Sequence, residues 1–498
     1  MMKTQDAYQK LIQRMREISY VGGACALLSW DEETYLPEKG RSYRAEQKAF
    51  LSGWSHERFV DPEVGKWLEI CSDTPEGLDP DQCVNVREWR RDYKRSTVLT
   101  KEMVEEFEQA RSETHHLWVD ARKESNFKKF APGLKRLLDL SKKRADAWGY
   151  EESPYDALLE EYEPGMRVSQ LIPVFSDLRK ALTPIIPIAV EKSRAAKVTL
   201  PEAEYTIAQQ QKLNQMVAEA IGFDLKAGRI DTTVHPFCSG IASGDCRLTT
   251  RYVTDQFLTS LYGVMHEAGH GMYEQGLKDE GFSTPMGQAL SLGIHESQSR
   301  FWENHIGRSR AFWEFLYPKV VEIFPHLKSV SLDQILASVN RVEPSFIRVE
   351  ADPVTYDLHI ILRFEVEQKL FSGEITVDEV PEYWNSTFEK LMGLKVPNEA
   401  SGALQDVHWS WGLFGYFPTY TLGNLNAAQL YRAMEKDLGS LDAKMRKGEF
   451  APILNWLQQK VHQQGKRLNP TELMKFATGS PTEARSHIEY LTKKFAQT

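Results

Sequence analysis

Cysteine is scarce in this chain and never closely paired. Cys25, Cys71, Cys83, Cys238 and Cys246 are the 5 thiols among 498 residues, and no C-x-x-C occurs. An odd, scattered set excludes a disulfide framework and a cysteine-built zinc site, and it fits a reducing cytoplasm. Long apolar runs are missing as well. No stretch offers the roughly eighteen apolar residues that a membrane helix needs. The most apolar run, 184–190, is broken by Pro187 and reads as a piece of core or loop. The first residues, MMKTQDAYQKLIQRM, lack the apolar centre of a signal peptide and read as an amphipathic helix, so export is not expected. With a net charge of −9 and no basic run beyond short clusters such as 87–95, nucleic acid is excluded as the main partner. Internal repeats, Gly/Ser linkers and low-complexity tracts are also absent, which leaves no boundary to draw. Residues 1–498 are therefore read as one domain, with two lobes flanking a groove.

What is present is ordinary for a soluble globular protein, with 41% hydrophobic and 26% charged residues. Most of it carries helical periodicity. Between Met103 and Ala121, Phe107, Ala110, Leu117 and Trp118 recur at three and four with charge on the other face. The pair His115-His116 inside that run reads as surface or packing histidine, since one pair supplies too few ligands for a metal. Residues 6–18, 134–147, 168–182, 202–221, 363–373, 425–446 and 450–464 show similar spacing, with Gly222 placed as a C-cap. The fold class is mainly α. The exception is 228–252, GRIDTTVHPFCSGIASGDCRLTTRY, where β-branched residues and turn signals point to a small antiparallel sheet. Such a sheet beside a metal helix offers an edge for an extended peptide, or is a purely structural hairpin.

The chemistry concentrates at VMHEAGHGMYEQG, 264–276. His266 and His270 stand one turn apart on a helix, so both imidazoles face one metal ion while Glu267 sits beside it. The helix is expected to start near Thr254 or Asp255 and to end at Gly276, and Gly269 and Gly271 inside it suggest close approach by another element. Catalytic zinc takes three protein ligands and keeps a position for water. Glu274 and Glu280 follow too closely to curl back. A second helix, 291–307, with Ser291 as N-cap and Gly307 at its end, carries Glu296, Arg300 and Glu303 on one face. Glu296 is the choice for third ligand, against the alternative of an ordinary surface pair with Arg300. In that reading zinc lowers the pKa of its water to about 7, Glu267 takes the proton, and the hydroxide attacks a carbonyl polarised by the metal. Glu267 then returns the proton to the leaving amine. Cobalt or manganese suits the same ligands.

Taken together, these stretches resemble the carboxypeptidase Taq family of metallocarboxypeptidases over essentially the whole chain. The resemblance is carried by WDEETYLPEKGRSYRAEQ (30–47), PYDALLEEYEPGM (154–166), HPF (235–237), Asp245-x-Arg247-x-Thr249, HEAGH, HESQ (295–298), IRVEAD (347–352) and LQDVHW (404–409) with Gly402 ahead of it. It implies a helical, two-lobed, dimeric zinc carboxypeptidase of the gluzincin type, with Glu296 as third ligand. It further implies Arg348 as the cation for the substrate's free carboxylate, against a bland salt bridge to Glu350 or Asp352. His408 and Tyr420, with Tyr416 as alternative, are expected to donate to the carbonyl oxygen in the intermediate. His235 and Arg247 are either substrate contacts or supports for the zinc helix, with support favoured because Pro236 and Phe237 look like a packed turn. The expected activity is release of single residues from peptide C-termini with broad specificity. The alternatives are an internally cutting zinc oligopeptidase and a helical scaffold whose metal only stabilises it; the intact Glu267 argues against the last.

Overall fold

A computed structural model describes residues 2–196, 198 and 200–497. It is mainly helical with one small sheet, as the periodicity implies. The first helix, α1 (Thr4–Thr34), runs well past the amphipathic start and is followed by α2 (Arg41–Phe59), which has no buried residue and lies along α1 through Arg44–Asp31 at 2.8 Å and Lys48–Glu32 at 2.7 Å. The run 103–121 sits inside Lys101–Glu124, capped by Thr100. His115 packs there between Trp118 and Trp411, which agrees with the packing reading.

Several boundaries differ from the sequence reading for local reasons. The proline-rich run 184–190 is core rather than loop, as one of the two readings has it, but Pro187 does not break it. The helix Val168–Ala196 passes through Pro173, Pro184 and Pro187, held by Leu178, Leu182, Ile185 and Ala189 in the core, so packing outweighs the lost N–H groups. The stretch 202–221 becomes helical only at Ile207, where Thr206 and Gln209 form a capping box. The expected 425–446 helix is two helices, Pro418–Leu438 and Leu441–Arg446. Gly439 at φ 73° ends the first, and Ser440 caps the second.

Two large apolar cores organise the chain. One gathers helices from 107–190 and 342–425 and the C-terminal residues around Leu491, and the other gathers 205–339 and 427–477. The helix Pro418–Leu438 belongs to both, with Leu422 and Leu425 in the first and Leu430 and Met434 in the second. Among the described residues no helix is long and apolar enough to cross a membrane.

The sheet is three-stranded and mixed: β1 (Gly228–Thr232), β2 (Cys238–Ala242) and β3 (Asp245–Thr250), in the order β1-β3-β2. The β2–β3 pair is antiparallel as expected, but β1 pairs in parallel with β3, because β3 inserts between two strands that are consecutive in the chain. This order places β2 at an edge. Trp30 of α1 receives the guanidinium groups of Arg247 and Arg229, 4.3 and 5.1 Å from its ring centroid, and Tyr35 donates to Asp231 at 2.7 Å. These contacts dock α1 against the sheet.

Candidate metal centre

The HEAGH helix spans Leu258–Gln275. It starts later than the sequence suggests because 253–256 form an isolated bridge, and it ends on Gly276 as expected. Its partner helix, Leu292–Arg300, starts from the Ser291 side chain, which accepts from the Ile294 N–H, and widens into a π-helical turn over Phe301–Ile306 that closes at Gly307. The two helices touch through backbone at Gly269. A Cβ there would meet the Gln298 carbonyl oxygen and the Ser299 Cα at 2.6 Å, so the close approach is to the helix bearing Glu296. Gly271 is excluded from a larger side chain by Phe223 and Leu248 instead. On the far side Gly423 makes room for Glu296, whose Cγ would lie 2.5 Å from a Cβ. Glu163, in the PYDALLEEYEPGM stretch, anchors the start of the helix by accepting from the Gly293 N–H at 3.0 Å. Burial pushes its carboxyl up to about 7.

This packing brings His266, His270 and Glu296 together, with one ligand atom from each within 4.8 Å of the others. Glu296 Oε2 lies 3.7 Å from His266 Nε2 and 3.4 Å from His270 Nε2. Its other oxygen accepts from Arg300 Nε at 2.7 Å, and Oε2 itself accepts from Ser299 Oγ at 3.0 Å, which leaves Oε2 one further lone pair for an ion. The alternative of a solvent-exposed Glu296–Arg300 pair is not what the fold makes, since Glu296 is only 8% exposed.

Each histidine is also held from behind. His266 Nδ1 faces Glu303 Oε2 at 2.9 Å, with Arg300 and Arg308 on the same carboxylate. His270 Nδ1 meets His295 Nδ1 at 2.6 Å, and His295 Nε2 meets Glu274 Oε1 at 2.7 Å. With Nδ1–H of His266 donated to Glu303, and Nδ1–H of His270 donated to a His295 that in turn donates to Glu274, both Nε2 lone pairs face the gap. Two imidazole nitrogens and a carboxylate oxygen, each oriented by a further partner, are the donor set a catalytic zinc-type cation takes.

The electrostatics follow from burial and charge. Burial pushes His266 down, but Glu296, Glu303 and Glu267 outweigh it and raise the ring to about 9, so a cation takes Nε2 in competition with a proton. His270 falls to about 4, first through burial and then through the neighbouring histidines. Burial would raise Glu296, yet Arg300, His266 and His270 hold it well below the ordinary carboxylate range. Glu267 goes the other way. At 7% exposure, burial pushes it up to about 7, into the range of a general base that works near neutral pH.

Around the three ligand residues lies a cavity of about 350 Å³, lined among others by Glu267, Phe237, Cys238, Tyr416 and Tyr420. Tyr416 and Tyr420 thus both reach it. His408 stands behind, buried, with Nε2 3.2 Å from the Tyr420 hydroxyl, and burial lowers its ring to about 4, so it is neutral. Arg348 pairs with neither Glu350 nor Asp352. Its Nε and one terminal nitrogen donate to Asp406 at 3.0 and 2.8 Å, and the other donates to the Tyr356 hydroxyl at 3.1 Å. It lies 4.8 Å from the Tyr420 ring centroid. Asp406 also accepts from Arg363 Nε at 2.6 Å, so two buried guanidiniums share one carboxylate and an excess positive charge remains beneath the tyrosines.

His235 and Pro236 are exposed in the β1–β2 connection, so the packed-turn expectation fails for them. Pro236 and the half-buried Phe237 both line the cavity, and Phe237 is fixed by hydrogen bonds of its N–H and carbonyl to Thr249. Arg247 is bidentate to Asp245 at 2.8 and 2.9 Å and packs on Trp30, supporting the sheet rather than facing the ligands. Sequence reasoning missed Glu303, His295, Glu274 and Asp406 as orienting partners. Of these only Glu274, one turn from His270 on the same helix, stood where helical spacing could have pointed to a second contact.

Residues 10–495 match the family described as carboxypeptidase Taq (M32) metallopeptidase. The chain is 42% identical over 506 residues to "Thermostable carboxypeptidase 1" of Thermus thermophilus, covering 99% of each chain. It is 37% identical over 483 residues to "Carboxypeptidase 1" of Bacillus subtilis, covering 97% of this chain and 96% of the other. The solved structure of an M32 carboxypeptidase from Deinococcus radiodurans superposes with a TM-score of 0.95 at 36% identity, covering 98% of both chains.

Proposed function

The chain belongs to the carboxypeptidase Taq (M32) family of metallopeptidases and is a metal-dependent peptide hydrolase, and we propose that it removes single C-terminal residues from peptides with broad specificity, using Glu267 as general base and zinc as the metal. The observation that carries the reading is the convergence of His266, His270 and Glu296 beside a buried Glu267. His266 Nε2, His270 Nε2 and Glu296 Oε2 are the atoms to hold the ion, and cobalt suits them too. A divalent cation there supplies a Lewis acid for the scissile carbonyl and brings the pKa of a water toward about 7.

This chain's own residues do the rest. Glu267 takes the proton of the attacking water and returns it to the leaving amine. The Tyr420 hydroxyl, or that of Tyr416 beside it, donates to the carbonyl oxygen as it gains charge, and His408 orients Tyr420. Arg348 takes the substrate's free carboxylate. Of the five guanidinium hydrogens, two remain after the bonds to Asp406 and Tyr356, and the shared carboxylate leaves the pair of arginines short of negative charge. Phe237 and Cys238 continue the cavity wall into β2, whose outer edge suits an extended substrate backbone. His235, exposed next to that wall, is retained as an outer substrate contact, while Arg247 acts through the sheet.

Two further readings belong to the proposal. The chain works as one domain of two lobes, supported by the helix Pro418–Leu438 that serves both cores. It is a cytoplasmic homodimer, which the free cysteines favour on the first count and the family resemblance on the second. Neither nucleic acid nor membrane is a partner.

Hydrolysis of one peptide with a free and with an amidated C-terminus tests the exopeptidase reading. The amide is expected to be cut about 100-fold more slowly, the scale of losing one member of a buried charge pair. Equal rates would assign the site to internal cleavage.

A further inference from the structure

The two cysteines of the sheet take no part in the chemistry above, yet they adjoin it. The register sets Cys238 opposite Leu248 and Gly240 opposite Cys246, so both thiols project from one face of the β2–β3 ladder along a diagonal. Their sulfurs are 3.5 Å apart. That face looks onto the HEAGH helix: the Glu274 carboxylate fills the space where Gly240 would carry a Cβ, and Leu248 reaches Gly271. Cys246 is fully buried, whereas Cys238 lines the cavity with His266, Glu267 and His270. The other thiols, Cys25, Cys71 and Cys83, lie on N-terminal helices, and none makes a sulfur–sulfur contact among the described residues.

We propose that Cys238 and Cys246 form an oxidisable dithiol, a modification site at which a hydroperoxide entering the metal cavity reversibly lowers peptide hydrolysis. The Cys238 sulfur attacks the peroxide, forming an S–O bond as the O–O bond breaks and an alcohol (water, from hydrogen peroxide) leaves. The Cys246 sulfur then displaces the sulfenic oxygen as water, forming the S–S bond. The two sulfurs together lose two electrons, the peroxide gains them, and both thiol protons end in the departing alcohol and water.

The position makes this pair labile rather than structural. A disulfide needs sulfurs about 2.05 Å apart, and diagonal ladder positions, about 7–8 Å apart, lie beyond the backbone separations it bridges without backbone movement. Closure therefore draws the strands together. β3 is held by β1 on its other side, while β2 is an edge strand already irregular between Gly240 and Ala242, so β2 is the strand that yields. It carries Phe237 and Cys238 of the cavity wall with it. A strained disulfide also has the more oxidising potential, so reductant reopens it. Contact with Cys246, burial and the nearby Glu267 and Glu274 hold the Cys238 thiol well above its ordinary range, so its thiolate fraction is small and its attack on peroxide is slow.

The test titrates the metal-loaded, pre-reduced enzyme with hydrogen peroxide and reads the mass of the tryptic peptide 230–247 alongside kcat/KM. That peptide holds both cysteines and is expected to lose two hydrogens in step with a fall in kcat/KM of about tenfold or more, the scale of displacing a cavity wall by about 1 Å. Dithiothreitol restores both. The Cys246→Ala protein, with Cys246→Ser as a second variant should the first unfold, is expected to keep its activity through the same titration. A disulfide that forms without changing kcat/KM overturns the proposal. So does inactivation that precedes the mass change or that persists in the variants, and so does peroxide oxidation of Cys25 with 230–247 still reduced.

Discussion

Glu267→Gln is expected to lower kcat/KM by about 10²–10⁴-fold, the range supplied by a positioned general base. Metal content should be unchanged. The substitution keeps the shape of a side chain that lies beside the ligand atoms without being one of the set His266, His270 and Glu296. It removes only the capacity to accept and return a proton. Because burial has already raised Glu267 to about 7, the neutral amide resembles the protonated form and should fold without penalty. Metal analysis, thermal unfolding and steady-state kinetics on one preparation separate the possibilities. Unchanged hydrolysis with metal bound removes Glu267 from the mechanism, and lost metal moves it into the binding set.

Glu296→Ala is expected to abolish both metal binding and activity, a loss beyond the roughly 10–100-fold that removing an orienting partner costs. It should also destabilise the fold. Arg300 is 15% exposed and donates to Glu296 at 2.7 Å; without that carboxylate its remaining acidic partner among the described residues is Glu303, at 3.5 Å, beside the Tyr356 ring. Leaving a buried guanidinium short of its partner costs about 3–5 kcal/mol. Glu296→Gln separates the two roles. The amide oxygen still accepts from Arg300, so most stability is retained, while the neutral amide is a poor replacement for a carboxylate ligand. Denaturant unfolding with metal titration reads both effects. Full metal affinity in Glu296→Gln would mean the third ligand lies elsewhere.

Helical spacing decided the placement of the two histidines, because a four-residue interval has one meaning on a helix. Glu296 was reachable too, as the acidic residue on the next helix with an N-cap and freedom of approach. The orienting contacts were harder to read. Glu303 reaches His266 from a π-helical turn, and no residue pattern announced that widening of the helix. Asp406 joins Arg348 and Arg363 from parts of the chain about fifty residues apart, a pairing that only the tertiary fold creates. The sheet shows the same limit: strand content was legible from β-branched residues and turns, but insertion of β3 between β1 and β2 depends on how the sheet meets α1 and the HEAGH helix. The core reading of 184–190 held, but the break expected at Pro187 did not, since a local rule lost to core packing.

The most direct measurement is anomalous diffraction from crystals of the zinc-loaded protein, recorded on both sides of the zinc absorption edge. The account predicts one peak per chain at about 2.0–2.2 Å from His266 Nε2, His270 Nε2 and Glu296 Oε2. A peak held by other residues, or none at these three atoms, would contradict it.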